Sequence, residues 1–439
     1  MWEEKLRSGL LSFFFISLCL PIAIQQTALG LLLAFLVYEV VGKHFISKSA
    51  TSENPQSVIS SPQSFSSPLD LPLLLFLTAL LLSTCFSPAV VNSLAGYRKL
   101  WLVGAFFATY HLLKKPQEAQ RLILLMIVVA AVLAAYGILQ HFTGVDWARE
   151  LFGKEPSVSP LWLGQQERFR TEGLYPSGIT YAHNLLFPLT FISMLFFVPG
   201  SAWYKRLMLI GGWGLMVCAL LFSFTRGVWI AYAIVLLLLG LVRGGKTLGG
   251  VAIAIIVLSL FLVNAEEGVQ ERIGSIVNPK ANSGRSFIWQ ANLDMARERP
   301  LLGWGYGNYK QFRTSYYQRY PGADRKSHAH NNFLQMWVET GLLGLSTFLS
   351  LFWMMLRRGW QVYRRLSREP EKSLALGGFL GIIGFLIGGM TQYNFGDGEV
   401  VIVLWATVGL VLRMSRWVEE GKIVSAYHPH EEKPLAAIA

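Results

Sequence analysis

Apolar runs of about 17 to 25 residues recur along most of the chain, and they restrict its fold more than any other feature. Each run is long enough to cross a hydrocarbon core of about 30 Å as an α-helix. A water-soluble core does not need so many, and 53% of the 439 residues are hydrophobic while only 15% are charged. The sequence therefore predicts an all-α integral membrane protein with about 12 transmembrane helices. The runs are centred near Phe15, Ala34, Phe76, Phe106, Ile127, Phe191, Val217, Ile234, Ile255, Leu345, Ile383 and Leu404.

The first apolar run imitates a signal peptide, because Lys5 and Arg7 precede it. No small-residue cleavage site follows, and "PIAIQQTALG" leads directly into the next run. We therefore expect a retained helix.

The basic residues near the span ends predict the orientation, because lysine and arginine in short loops are retained on the cytoplasmic side. Placing the N-terminus inside puts most basic short loops in the cytoplasm, among them Lys114 with Lys115 and the segment "RRGWQVYRRLSREPEK". Residues 1–264 then hold spans 1 to 9 with an external loop at about 141–180. Residues 265–330 form a large helical external loop between spans 9 and 10. Residues 331–415 hold spans 10 to 12, and residues 416–439 form a cytoplasmic tail.

The external loops are nevertheless basic, with about 17 of the 38 lysine and arginine residues. About 12 of these are arginines, which favours planar, bidentate recognition of phosphate or carboxylate. The alternative is a solvated basic loop that contacts anionic membrane lipids. No nucleic acid partner is expected outside the cell.

Two arginines lie where an apolar run meets an external loop. Arg226, in "LFSFTRGVWIAY", has almost no loop around it, and drawing it into the membrane costs about 3 kcal/mol on insertion scales. It is therefore expected to bind a partner or a substrate anion, or else to act as an interfacial anchor that snorkels outward. Arg98, in "AGYRKLW", has the same two interpretations.

The segment "NSGRSFIWQANLDMARERP" predicts a short amphipathic helix within the second external loop, with Ser283 as a cap and Pro300 after its end. Arg285 falls in its first turn, where the helix N-terminus also favours anions. The following "GWGYGNY" is a Gly/aromatic turn whose backbone could approach a sugar or pyrophosphate. It lacks the spacing and the lysine of a nucleotide P-loop.

The polar cluster "HAHNN" stands at the start of the tenth apolar run. His328 and His330 share one side of an extended chain, as a two-histidine metal clip would, but zinc needs a third ligand such as Asp324. A neutral imidazole at this boundary is better suited to act as a general base on a hydroxyl. The structural alternative is a hydrogen-bonded pair of histidines with Asn331 as the helix cap.

Three acidic residues remain in or beside the last spans. Glu339 lies nine positions after His330, nearly opposite and about 13 Å deeper on one helix, so a buried hydrogen bond to a neighbouring helix is expected. Asp397 and Glu399 lie in the external turn of "NFGDGEV", where either could orient a base or pair with an arginine.

The chain resembles the O-antigen ligase family from about Tyr97 onward. His330, Asn331, Gly341 and Gly344 fit the ligase pattern of His, a small polar residue, nine positions, Gly, two positions and a final Gly. The resemblance extends through "GRSFIWQANLDMARERPLLGWGYGNY", "FTRGVWIAY" and "RTEGLYPSGITYAHNLLFPL". In the last of these Arg170 and Gly173 fit, and His183 replaces a more usual proline.

The resemblance implies an inverting transfer of a glycan from undecaprenyl pyrophosphate to a lipid A core sugar at the periplasmic face, with no cofactor and no metal. The partners would be that lipid-linked donor, the lipid A core acceptor and membrane lipids. His330 would be the base or would orient the acceptor, Arg226 and Arg285 would hold the pyrophosphate, and Arg98 would be a third contact. His328, Asn331, Arg170 and Asp397 would support them. Residues 265–330 would be a periplasmic catalytic loop in the bacterial inner membrane, with both termini cytoplasmic.

Three other functions remain open. An O-antigen polymerase would use the same donor with a second lipid-linked glycan as acceptor, and a protein O-oligosaccharyltransferase would modify protein. A lipid-linked glycan transporter also fits about 12 spans, but it predicts charged residues along a path at mid-membrane, whereas most of these runs carry none.

Overall fold

The computed structural model describes residues 2–53, 66–151, 153, 155, 158–163, 166–196, 198, 202–245, 247–250, 270, 274, 283–320 and 328–423. The predicted span near Ile255, most of the loop from residue 265 to residue 282, and the candidate zinc ligand Asp324 lie outside these residues. The helices and strands of the described residues are, in chain order, α1 Trp2–Ser17, α2 Ile22–Glu53, α3 Asp70–Cys85, α4 Val90–Gly96, the 3-10 helix Tyr97–Val103, α5 Gly104–Leu112, α6 Pro116–Thr143, α7 Trp147–Glu150, β1 Pro160–Leu163, β2 Gln166–Phe169, α8 Gly178–Leu195, α9 Trp203–Phe222, α10 Arg226–Arg243, α11 Ser283–Glu298, α12 Tyr309–Tyr317, α13 Asn332–Arg365, α14 Glu371–Gly388, the 3-10 helix Asn394–Gly396 and α15 Gly398–Glu419.

Every predicted span centre except Ile255 lies in one of these helices. Seven helices of the described residues are long and apolar enough to cross a membrane, namely α2 over Ile22–Gly42, α6, α9, α10, α13, α14 and α15. Helix α3, with 16 residues, is apolar but shorter. The prediction of a helical multi-pass membrane protein is therefore confirmed, and the number of spans, about 12, stays a prediction.

A β-hairpin departs from the all-helical expectation. Strands β1 and β2 are antiparallel, with Pro160 opposite Phe169 and Leu163 opposite Gln166, inside the predicted loop at 141–180. Strands of four residues are too short for an alternating pattern to reveal them. The hairpin ends next to Arg170, whose backbone N–H donates to the Ser159 carbonyl at 3.0 Å.

Helices α8 and α15 lie in the centre of the bundle, with almost all of their residues buried. Helix α14 approaches α8 closely because it carries glycines at helical spacing. A Cβ on Gly377 would lie 2.9 Å from the Phe191 ring, and one on Gly381 would lie 3.2 Å from the Phe187 ring. Small residues let membrane helices pack backbone to backbone. This packing fixes where the chain emerges from α14.

Several ion pairs and arginine hydrogen bonds of the apolar helices lie at one end of the bundle. Arg7 pairs with Glu118 at 2.8 Å, the Arg413 guanidinium donates to the Leu113 carbonyl at 2.8 Å, and Arg243 at the end of α10 pairs with Glu369 at 2.9 Å. The first residues of α10, α13 and α15 belong to the opposite end. The candidate site is built there.

Helix α11 confirms the amphipathic helix predicted from residue 283, and it packs on the start of α13. Its buried side includes Ile288 and Met295, as expected from the sequence, while Leu293 is only partly buried. These side chains form a cluster with Tyr309, Ala329 and other residues. The external helices are thereby attached directly beside His330.

Candidate active site

His330 lies in the loop that enters α13, and its backbone has a positive φ of 51°. A non-glycine residue in this region is uncommon and costs of order 1–3 kcal/mol, which a surrounding structure must offset. Phe224, two residues before Arg226, is the other such residue in the described chain, with φ 52°. One strained position is therefore His330 itself, and the other lies two residues before Arg226.

Asn331 caps α13, because its side chain accepts from the backbone N–H of Leu334 at 3.0 Å. This confirms the capping role considered as the structural alternative. The Asn331 amide also donates to the Met390 carbonyl at 3.0 Å. The loop that carries His330 is thus attached to the segment that follows α14.

Gln392, in the turn after α14, contacts the His330 side chain. His330 Nδ1 lies 2.7 Å from Gln392 Oε1, and the Gln392 amide nitrogen lies 3.4 Å from His328 Nε2. The two imidazole centroids are 4.2 Å apart, which confirms that His328 and His330 share one side. The sequence did not indicate Gln392, because a single glutamine 62 positions away carries no pattern that links it to a histidine.

A pair of buried asparagines fixes the position of Gln392 relative to His330. Asn332, the first residue of α13, donates its backbone N–H to the Gly389 carbonyl at 2.7 Å and its side-chain amide to Asn394 Oδ1 at 2.6 Å. Its side-chain oxygen accepts from the Phe395 N–H at 3.1 Å. Paired polar groups of this kind hold one register, because shifting it would leave them unsatisfied and buried.

The start of α10 touches the same segment. A Cβ on Gly227 would lie 2.1 Å from Thr391 Oγ1, so a larger residue would have to displace the Thr391 side chain. Thr391 is bonded in sequence to Gln392, and Arg226 to Gly227. The structure therefore brings the backbone at Arg226 and the His330 loop to either side of residues 389–392.

Arg170 joins this corner from the loop after β2. A Cβ on Gly178 would meet the Arg170 Cβ at 3.7 Å and the Ser223 carbonyl at 3.3 Å, and Thr225 Oγ1 donates to the Gly178 carbonyl at 3.3 Å. The start of α8, Arg170 and the residues before Arg226 are thus neighbours.

Arg285 is half-buried on α11, the helix that packs against Ala329. Burial lowers the pKa of its guanidinium. Arginine remains protonated in proteins even so, and a partly desolvated cation gains most from a bound anion. The structure places α11 beside the residue that precedes His330.

Arg98 and Asp397 occupy a second part of the external end. Arg98 is exposed in the 3-10 helix Tyr97–Val103, and the next residue, Lys99, donates to the Gly396 carbonyl at 2.5 Å. Asp397 caps α15 and accepts from Thr180 Oγ1 at 2.7 Å. Among the described residues it pairs with no arginine, so its contacts orient helices α8 and α15.

The glycines of "GWGYGNY" do not form the open cradle for sugar or pyrophosphate that the sequence suggested. Gly303, Gly305 and Gly307 all have positive φ, and each presses its backbone against protein. A Cβ on Gly303 would lie 2.5 Å from the Glu339 carbonyl carbon, and one on Gly305 would lie 2.3 Å from Ser87 Oγ. The expectation was wrong because glycines in a sequence indicate that another group can approach the backbone closely, but they do not identify that group.

Glu339 is buried and hydrogen-bonded to a neighbouring helix, as expected, and that helix is α12, whose first residue Tyr309 ends this glycine loop. Its Oε1 accepts from the Tyr309 N–H at 3.4 Å and from the Gln335 amide at 2.9 Å. Gln335 Oε1 in turn accepts from the Ala329 N–H at 2.8 Å. Glu339 therefore does not contact His330 but connects to the preceding residue through one glutamine.

The described residues contain no group of three His, Cys, Asp or Glu side chains that could hold a metal ion.

Residues 212–349 match the family described as O-Antigen ligase. "Exopolysaccharide production protein ExoQ" of Rhizobium meliloti is 30% identical over 152 residues, 32% of this chain and 34% of that protein. "Putative polysaccharide ligase" of Rickettsia bellii is 30% identical over 115 residues, 25% of this chain and 26% of that protein. The similarity therefore spans about a third or less of these relatives' own length.

The matched segment contains Arg226, Arg285, His330, Gly341 and Gly344. Residues after 349, with the turn that meets His330, lie beyond it. The resemblance expected from the sequence is confirmed, since residues 212–349 of this helical multi-pass membrane protein match the family described as O-Antigen ligase.

Proposed function

We propose that this protein is an O-antigen ligase, which transfers a glycan from undecaprenyl pyrophosphate to a hydroxyl of a lipid A core sugar. One observation carries the proposal. His330 lies in a strained loop at the mouth of an apolar helix. The turn after α14 contacts His330 through Gln392 and also touches the start of α10, where Arg226 lies. A lipid-tethered donor presents its reactive bond at this depth.

The reaction is an inverting displacement without a metal ion. The acceptor oxygen forms a bond with the anomeric carbon while the bond from that carbon to the pyrophosphate oxygen breaks. His330 takes or orients the acceptor proton, and undecaprenyl pyrophosphate leaves with the bonding electrons. His328 and Asn331 support His330.

Arg226, Arg285 and Arg98 bind the pyrophosphate, and Arg170 lies near the residues that precede Arg226. The leaving group gathers negative charge, so guanidinium groups held in a partly dehydrated site stabilise the transition state more than the ground state. The half-buried position of Arg285 supports this role.

The site faces the periplasm and both termini face the cytoplasm in this proposal. One end of the bundle holds the basic residues Arg7, Lys115, Arg243 and Arg413, and the other end holds His330. Basic residues mark the cytoplasmic side. This separation supports a multi-pass inner-membrane protein with an external site.

The test supplies purified protein with a lipid-linked glycan donor, either together with lipid A core or alone. Glycosylated lipid A core is the expected product. A polymerase is the second candidate, because one relative is named for exopolysaccharide production. If donor alone yields a longer lipid-linked glycan, the polymerase function is supported in place of the ligase function.

His330→Ala separates either enzyme from a transporter. The enzyme should bind donor and fail to transfer the glycan, whereas a transporter should continue to move lipid-linked glycan across a vesicle membrane. Gln311→Ala is the control, because Gln311 is exposed on α12 and its side chain accepts a hydrogen bond from Asn92. Glycan transfer by His330→Ala at the control's rate would remove His330 from the site.

A further inference from the structure

We infer that Gln392 is a positioning residue which, together with His328, sets the imidazole nitrogen of His330 that carries the proton. The inference rests on the proposed function, in which His330 meets the acceptor hydroxyl. Gln392 reaches His330 from the turn after α14, and the asparagine pair Asn332 and Asn394 holds that turn in register.

A neutral imidazole has one N–H donor and one acceptor nitrogen, and the hydrogen bond at one nitrogen decides the state of the other. With Gln392 Oε1 at 2.7 Å from His330 Nδ1, the amide oxygen accepts the Nδ1 proton. The lone pair then lies on Nε2, which is the form that a general base requires. The Gln392 amide nitrogen is turned toward His328 Nε2 at 3.4 Å, which holds the amide in this orientation.

His328 also makes a contact that competes with this arrangement. The backbone N–H of His330 donates to His328 Nδ1 at 3.2 Å. A neutral His328 cannot accept through both nitrogens, so the two contacts exclude each other. When His328 accepts through Nδ1, its Nε2 carries a proton and needs the amide oxygen of Gln392.

The amide then turns over and donates to His330 Nδ1, which moves the His330 proton to Nε2. His330 would now present an N–H to the acceptor instead of a lone pair. Amide orientation and histidine tautomer are coupled in this way because an amide has one donor end and one acceptor end. Gln392 thus links the tautomers of the two histidines.

Gln392→Glu is the decisive variant, because a carboxylate only accepts. It holds the proton on His330 Nδ1 and adds a negative charge that raises the pKa of His330 by about one unit or more. Among the described residues, the titratable group beside His330 is His328, which in turn faces Tyr393, and both are common to the two proteins. With the higher pKa, a smaller fraction of His330 is neutral at a given pH. The acidic limb of the kcat profile should therefore move to higher pH.

Gln392→Ala removes the hydrogen bond without adding charge. It should lower kcat about 10- to 100-fold and change KM less. Gln311→Glu is the matched control, because it adds the same charge at an exposed position whose partner is Asn92. Its pH profile should match that of the wild type.

A second measurement does not depend on glycan transfer. Diethyl pyrocarbonate reacts with neutral imidazole, so its rate of reaction at His330, followed by peptide mass spectrometry, reports the titration of this side chain. The midpoint should rise in Gln392→Glu and stay unchanged in Gln311→Glu. An unchanged midpoint in Gln392→Glu overturns the inference. If the midpoint rises in Gln392→Glu but the wild-type protein transfers no glycan, the inference is supported and the proposed function is refuted.

Discussion

Gly341, at the kink of α13, offers the sharpest test of how the site is held. Its φ of 67° and ψ of −171° lie in a region that only glycine adopts readily, and forcing another residue there costs about 1–3 kcal/mol. A Cβ at Gly341 would lie 2.2 Å from the Leu301 carbonyl carbon, at least 1.2 Å closer than the 3.4 Å at which ordinary contacts begin. Gly341→Ala must therefore push the loop after α11 away from α13.

That displacement breaks two hydrogen bonds. The Leu342 N–H donates to the Pro300 carbonyl at 2.7 Å and the Leu343 N–H to the Leu301 carbonyl at 3.2 Å. At about 0.5–1.5 kcal/mol each, their loss adds about 1–3 kcal/mol to the backbone strain. The total destabilisation is about 2–6 kcal/mol.

The assay heats each purified variant in detergent and measures the fraction that remains monodisperse, alongside glycan transfer. The control is Gly211→Ala on α9, where a Cβ meets nothing within 4 Å, so the exchange should be neutral or stabilise the helix by about 1 kcal/mol. Gly341→Ala should lose both thermal stability and transfer, because the loop also reaches Ala329 through Glu339 and Gln335. A Gly341→Ala protein as stable and active as the control would refute the packing described here.

Three further predictions concern single side chains. Arg226→Ala should lower glycan transfer about a hundredfold or more with normal expression, whereas Arg206→Ala, at an exposed position, should leave it unchanged; equal rates would exclude Arg226 from the site. Glu339→Ala leaves the Tyr309 N–H without its acceptor and should cost about 1–3 kcal/mol, and Glu339→Gln should cost less in the same thermal assay; the reverse order would contradict the role of this oxygen. Burial raises the pKa of the Glu172 carboxyl, so the contribution of this group to stability is present at low pH and is lost as pH rises through the raised pKa. Glu172→Gln should therefore flatten the pH dependence of the melting temperature; an unchanged pH dependence would count against this role of Glu172.

The helices were predictable because hydropathy is a local property of the chain. Helix α11 and the capping role of Asn331 were also predictable, since periodicity and cap chemistry depend on residues three or four positions apart. The hairpin at residues 160–169 was missed, because its strands are too short to alternate visibly.

The contacts of the site were harder to predict. Gln392 lies 62 positions after His330, and nothing in the chain between them indicates that they meet. The glycines of residues 303–307 were read as open to a ligand, yet each is pressed against another part of the protein. Glycine identifies a close approach, but the approaching group comes from elsewhere in the fold.

Local chemistry along the chain was sufficient to establish a bilayer-spanning helical protein, to place its polar cluster at a helix mouth and to relate it to the ligase family. Packing alone decided that α10, α13 and the turn after α14 converge, that Gln392 touches His330, and that Glu339 binds the end of the glycine loop. The physical reason is that hydropathy and capping act over a few residues, whereas a site requires side chains from distant segments to meet, and their meeting depends on how whole helices interlock.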